Sequence, residues 1–358
     1  MKKLLSLILV AIIATTLLAG FASAEGTYKI GMLPKFKGEN YFDGCYVGAQ
    51  KAAEDLGIEL VYDGPNQSEA TNAKQVEILT GWMSQDFDAI VVSPCDAEGI
   101  APTLKQFQEK GVLVLTFDAD APADARSMYV NAATARDIGV ALVDVIANGL
   151  TENGFGEDTP ARLALISGSG LDVNQNEWIL AMEAYLAETY PWITVNCDEV
   201  GYLGADIWTP GSDETAAQNA ANESIALSGD ATDGSQINAI IGTSSMSTPA
   251  LAAAWDAVAG EKPNVVITGL ATPMGIVDYI LDEDNPMDYG VLWDVNNLGY
   301  LSVEAAVAVL NGTLEVAEGT FASNLGEKEI VLAEDGGLEL LLGAALTFGP
   351  DNVENFNY

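Results

Sequence analysis

The chain has 358 residues, 49% of them hydrophobic, with 14 basic against 52 acidic side chains, three cysteines and no histidine. That length and apolar content suit two ordinary domains with packed cores. A formal charge of −38 argues against nucleic acid or anionic lipid as a partner, and the lack of histidine removes His-based triads, Cys–His dyads and imidazole metal sites.

Residues 1–24 read as a secretory signal peptide. Lys2-Lys3 form the charged start, residues 4–18 an apolar run, and Ala22-Ser23-Ala24 a small-residue cleavage site. Cleavage after Ala24 leaves 12 basic against 52 acidic groups, a charge of −40. No cysteine follows the apolar run, so no lipid attachment is expected, and no later stretch is long enough to span a bilayer. The acidic residues are spread along the chain, as on a solvated surface suited to high salt. Cys45, Cys95 and Cys197 are odd in number, which excludes a full disulfide framework. Buried small apolar roles are expected, with a Cys45–Cys95 pair as the alternative.

After the signal, residues 28–33 form the first strand, and a loop through Lys35 and Glu39 leads into a helix with Tyr46, Ala49, Ala53 and Leu56 on one face, closed by Gly57. Strands follow at 59–62, 89–93, 112–117 and 128–130. Between the first three lie helices marked by Val76, Leu79 and Met83 and by Leu104 and Phe107. The rhythm then restarts: helices at 138–146, 178–186, 216–226 and 251–258 alternate with strands at 163–166, 193–200, 239–241 and 265–268. Alternating strands and helices predict parallel sheets with helices on both faces, and two such runs predict two similar domains with a cleft between them. Residues 315–349 show no clear pattern. Helix starts are signalled by Thr248-Pro249, by Thr272-Pro273 and by a capping box from Asn174 to Glu177.

Ligands of open α/β sheets sit beyond the carboxyl ends of the strands. The run Val112 to Phe117 reads as a strand buried on both faces, and Asp118 stands at its end, aimed at a ligand. Asp120, two residues on and followed by Ala121-Pro122, reads as a solvated turn residue. Lys35 follows the first strand as a donor to hydroxyl or carbonyl oxygens; a solvated role is the alternative. Tyr41 and Phe42 either stack on an apolar sugar face or staple the next helix. Asn174 and Gln175 carry amides that donate and accept, suited to a polyol. Thr243, Ser244 and Ser245 form a hydroxyl-rich loop, and Trp293-Asp294 sets an indole beside a carboxylate after the strand at 289–292. No Walker loop, nucleophile elbow or calcium loop occurs, and the Asp118/Asp120 pair lacks the facing geometry of a glycosidase. No metal site and no cofactor are expected.

Several of these motifs occur in one order: Pro34-Lys35, Tyr62-Asp63-Gly64-Pro65, Val114 to Asp120, Asn174-Gln175-Asn176-Glu177-Trp178 and Leu292-Trp293-Asp294-Val295. In that order the chain resembles the periplasmic sugar-binding proteins of ABC importers, nearest the autoinducer-2-binding and rhamnose-binding proteins, over nearly its whole mature length. The resemblance implies a type I periplasmic binding protein fold, with two doubly wound parallel-sheet α/β domains joined by three crossovers near residues 130–132, 270–271 and 293–294. The expected domains are 25–131 with 272–293, and 132–271 with 294–358. Lys35, Asp118 and Gln175 match the family's binding residues. Asn174 stands where the family has aspartate, and Thr243-Ser244-Ser245 where the autoinducer-2 binders have Pro-Asp-Ala. Those departures argue against autoinducer-2 itself and leave a small deoxysugar or related polyol. The expected protein is a monomeric periplasmic receptor that delivers a sugar, deoxysugar or autoinducer-2-like ligand to an ABC permease. A secreted carbohydrate-active enzyme is the alternative. A sugar-responsive transcriptional regulator, which shares the fold, is disfavoured by the signal peptide, the acidity and the lack of a basic helix-turn-helix.

Overall fold

A computed structural model describes residues 27–196, 203–211, 213–333, 335–356 and 358. The signal peptide and residues 197–202, Cys197 among them, lie outside the described residues, and of the expected 193–200 strand only Ile193–Thr194 is strand, residues 195–196 being irregular.

The first unit opens β1 (Lys29–Leu33), α1 (Asn40–Leu56), β2 (Glu59–Tyr62), α2 (Asn72–Trp82), β3 (Ala89–Val92), α3 (Ala97–Glu109), β4 (Leu113–Phe117) and β5 (Met128–Asn131). These strands pair in parallel in the order β5-β4-β3-β1-β2. β3 is buried along its whole length, as its unbroken Ala-Ile-Val-Val run requires of a central strand. Gly57 ends α1 in the left-handed region, φ +67°, where its N–H donates to Ala53 O.

The second unit comprises α4 (Ala135–Glu152), β6 (Ala161–Ile166), α5 (Val173–Thr189), β7 (Ile193–Thr194), β8 (Ile207–Trp208), α6 (Glu214–Ala226), β9 (Ala239–Gly242), α7 (Ser247–Asp256), β10 (Val266–Gly269), α8 (Pro273–Ile280) and β11 (Gly290–Leu292). Its parallel sheet runs β10-β9-β6-β7, with β8 also on β6. The chain then forms α9 (Val295–Leu310), β12 (Gly319–Ser323), β13 (Gly326–Leu332), β14 (Leu338–Leu341) and β15 (Leu346–Phe348).

The last third reverses the expected division. α8 packs on α7 and β11, and a bridge joins Leu270 to Val291, so residues 272–292 sit with the second unit. α9 lies against α1 and the β3–β5 face of the first unit. β14 pairs in parallel with β5, Leu340 opposite Val130, and β12–β13 extend that sheet to eight strands. β15 then returns to pair antiparallel with β11. Residues 294–341 therefore belong largely to the first unit, and the chain crosses between units after β5, after β11 and after β14, not near residues 270–271. The cause is twofold. β14 covers the otherwise open edge of β5, and α9 has a close partner in α1. At Gly48 a Cβ would fall 1.7 Å from Asn296 O, and at Gly299 1.8 Å from Cys45 O, so the two helices meet backbone to backbone.

Two helix starts also differ. α5 begins at Val173 with Asp172 at its N-cap, so Asn174 lies inside the first turn and its amide is free for other work. α7 begins at Ser247, and Thr248 lies inside it, donating to Gly242 O and Leu270 O. Thr272 does precede Pro273 at the start of α8. Cys45 and Cys95 are both free thiols; Cys95 donates to Lys35 O at 3.5 Å.

Candidate functional site

The cleft between the units is built on the carboxyl ends of β1, β3, β4, β6, β9 and β10. Asp118, just past β4, is the one non-glycine residue at positive φ (61°) among the described residues. Ala119 N–H donates to Phe117 O at 2.6 Å, closing a three-residue turn around it. Such turns are strained, and strain of this kind collects at binding sites. The turn is over-determined: Tyr129 OH donates to Asp118 O at 2.7 Å, Tyr41 OH to Oδ1 at 2.8 Å and Ser93 Oγ to Oδ2 at 2.7 Å.

Lys35 reaches across the cleft. Its Nζ lies 3.7 Å from Asp118 Oδ2 in its own unit, and in the second unit it donates to Asp172 Oδ1 and Asn174 Oδ1, both at 3.4 Å. Burial alone would lower its pKa, but the Asp172 and Asp118 carboxylates outweigh burial and the net shift is upward. Lys35 is therefore a fixed ammonium.

Gln175 is a donor-only group towards the cleft. Ser167 Oγ, Gly168 N and Thr243 Oγ1 all donate to its Oε1, at 3.1, 2.7 and 2.7 Å. The Gly168 N–H can only donate, which identifies that atom as the oxygen and leaves Nε2 to offer hydrogens. A Cβ at Gly168 would sit 2.4 Å from Asp172 Oδ2, so a side chain there would displace that carboxylate.

An aromatic wall closes the site. Trp293 Nε1 donates to Tyr41 OH at 3.1 Å, Trp293 meets Trp178 edge-on at 5.7 Å, and Phe42 meets Phe36 at 5.1 Å. At the rim Glu39 caps α1 through Tyr41 N–H and faces Ser245 of the second unit. Burial pushes the Glu39 carboxyl up, opposed by Ser245 and the Tyr41 N–H. The cavity measures about 80 Å³.

Lys35, Tyr41, Phe42, Asp118, Asn174, Gln175, Thr243, Ser245 and Trp293 all line this cavity. Asp294 does not line it. It is the N-cap of α9, accepting from Asn297 N at 2.9 Å and Asn297 Nδ2 at 3.0 Å, a role fixed by the helix that starts right after it. Asp120 is not a solvated turn residue. It accepts from Thr116 Oγ1 at 2.6 Å and is paired with the buried guanidinium of Arg126, which also donates to Leu338 O. Sequence reasoning missed Glu39, Ser93, Asp172 and Trp178. Two had usable signals: Ser93 follows the apolar run of β3, and Trp178 is three residues from Gln175 on one helical face. Among the described residues no group of three or more Cys, Asp or Glu side chains is arranged to hold a metal ion.

The arrangement offers fixed acceptors (Asp118, Asp172), fixed donors (Lys35, Gln175) and aromatic faces, which is equipment for binding and orienting a small polar molecule. A family model described as a periplasmic binding protein domain matches residues 30–314. The D-xylose-binding periplasmic protein of Escherichia coli K12 is 25% identical over 244 residues, 65% of this chain and 68% of that protein. A solute-binding protein of an ABC transporter from Clostridium phytofermentans, solved with bound L-rhamnose, is 25% identical with a TM-score of 0.79, covering 92% of this chain and 98% of that one. LsrB from Clostridium saccharobutylicum, solved with AI-2, superposes with a TM-score of 0.80 at 24% identity, over 92% of this chain and 100% of that one. With a family model spanning most of its length and a two-unit cleft of this construction, the chain belongs to the periplasmic binding protein family.

Proposed function

We propose that this chain is the extracytoplasmic solute-binding protein of an ABC importer, taking a small hydroxylated ligand (a sugar, a deoxysugar or an AI-2-like polyol) into the cleft between its two units. The observation that carries the reading is Lys35. Its ammonium joins Asp118 of one unit to Asp172 and Asn174 of the other, beside an aromatic wall. Groups so arranged meet ligand hydroxyls from both sides, which couples binding to closure of the units. The family and the matched relatives are binding proteins, so the chain captures its ligand and makes or breaks no bond in it. The reading includes export with cleavage after Ala24, a monomer in the periplasm and an ABC permease as the receiving partner. Asn174 and the hydroxyl loop at 243–245 support a deoxysugar or related polyol over AI-2 itself.

The test is a thermal-shift and calorimetric screen of the mature protein with L-rhamnose, D-xylose, D-arabinose and AI-2. A ligand present at a hundred times its Kd adds about 2.7 kcal/mol of stability. Stabilisation by none of these, or turnover of any of them, overturns the reading.

A further inference from the structure

Gln75 is fully buried on α2 and does not line the cleft, yet its amide is spent on the two loops that build it. Nε2 donates to Pro34 O at 3.0 Å and to Ser93 O at 2.8 Å, and Oε1 accepts from Cys95 N at 2.8 Å. Pro34 and Ser93 lie immediately beyond the last β1–β3 ladder pair, Leu33 with Val92. The last bond of the ladder is Ser93 N–H donating to Leu33 O at 2.8 Å. Two buried carbonyls and one N–H would be left without partners, and one glutamine satisfies all three.

What those loops carry makes the position informative. Lys35 follows Pro34 directly, and its own carbonyl accepts from the Cys95 thiol. Ser93 supplies the hydroxyl on Asp118 Oδ2, the oxygen that Lys35 also faces. We infer that Gln75 is a positioning residue for ligand binding: it clamps the Pro34–Lys35 and Ser93–Cys95 loops together and so fixes the ammonium and the hydroxyl around Asp118. The binding arm of this inference rests on the proposed function; the structural arm does not.

A matched control exists in the second unit. Asn238, also buried, donates to Gly229 O and Ala231 O and accepts from Arg162 N, the same pattern of three bonds to backbone. It precedes β9, at the strand edge away from the cleft.

The experiment compares Gln75→Met, Gln75→Glu and Asn238→Leu. Gln75→Glu keeps the acceptor for Cys95 N and loses the two donors, so it serves where the methionine variant fails to fold. Titration calorimetry with L-rhamnose and D-xylose should show about tenfold or greater weakening for either Gln75 variant and a Kd within about twofold of the parent for Asn238→Leu. Amide hydrogen exchange without ligand should quicken at residues 35–37 and 93–95 in the Gln75 variants and stay at parent rates in α5 and β9. Parent-like exchange in both loops, or equal loss of binding in Asn238→Leu, overturns the inference. If neither sugar binds the parent chain, the ligand class is at fault, and the exchange result alone decides whether Gln75 clamps the loops.

Discussion

Asp118 concentrates the chemistry of the cleft at one residue. Its carboxylate is buried, takes hydroxyl donors from Tyr41 and Ser93, and faces Lys35. Asp118→Asn keeps a side chain that tolerates the left-handed backbone and removes the charge. Hydrogen bonds to charged groups are worth about 1.5–3 kcal/mol each, so titration calorimetry should record a loss of about one to four decades in affinity. Because those bonds are also internal, the ligand-free protein should melt lower as well; unchanged binding would move the site's centre away from Asp118. Thr243 and Asp294 separate support from bystander. Thr243→Val takes one of three donors from Gln175 Oε1 and should weaken binding by about threefold to tenfold. Asp294→Ala removes the cap of α9, which should cost about 0.5–2 kcal/mol of stability and leave Kd unchanged. The opposite pattern in the two variants would place Asp294, and not Thr243, in the ligand's path.

Two elements hold the first unit's late segment in place. α9 meets α1 through Gly48 and Gly299, where no Cβ fits against the facing carbonyls. Gly48→Ala must push the helices apart, and overpacking costs about 1–3 kcal/mol. Denaturant unfolding should show that loss, and a parent-like midpoint would mean that the helices separate freely. The strand β14 is tied by Arg126, which bonds Leu338 O and Asp335 while pairing with Asp120. Removing one partner of a buried ion pair costs about 3–5 kcal/mol. Asp120→Ala should therefore be strongly destabilising, while the folded fraction binds ligand as the parent does. A variant of parent stability would show that Asp335 and the Leu338 carbonyl suffice for the guanidinium.

At the scale of the molecule, charge is the dominant feature. A net −38 on 358 residues sets acidic groups against one another across the surface, and the described ion pairs neutralise few of them. Counterions screen such repulsion over about 10 Å at 0.1 M salt and about 3 Å at 1 M. Melting temperature should therefore climb as salt is raised from low to molar concentration. A flat profile would show that the acidic groups are already separated well enough not to destabilise the fold.

The α/β alternation was legible in the sequence by itself, and nine of the ten residues expected in the cleft line the cavity. Each of these is local: an apolar run specifies a buried strand, and a polar residue just after it stands at the sheet's carboxyl edge. Asp172 was passed over because the capping box placed the helix start two residues late, which handed its role to Asn174. Asp120 was misjudged because its partner, Arg126, lies beyond the turn and is itself anchored to β14 more than two hundred residues on. The allocation of residues 272–341 was decided by the tertiary structure alone. The short β11 looks much like any other three-residue apolar run. It pairs with β15, and the placement of residues 294–341 depends on β14 covering the open edge of β5 and on two glycines, Gly48 and Gly299, letting distant helices touch. Edge pairing and close approach are relations between segments far apart in the chain, and no window of sequence contains both partners.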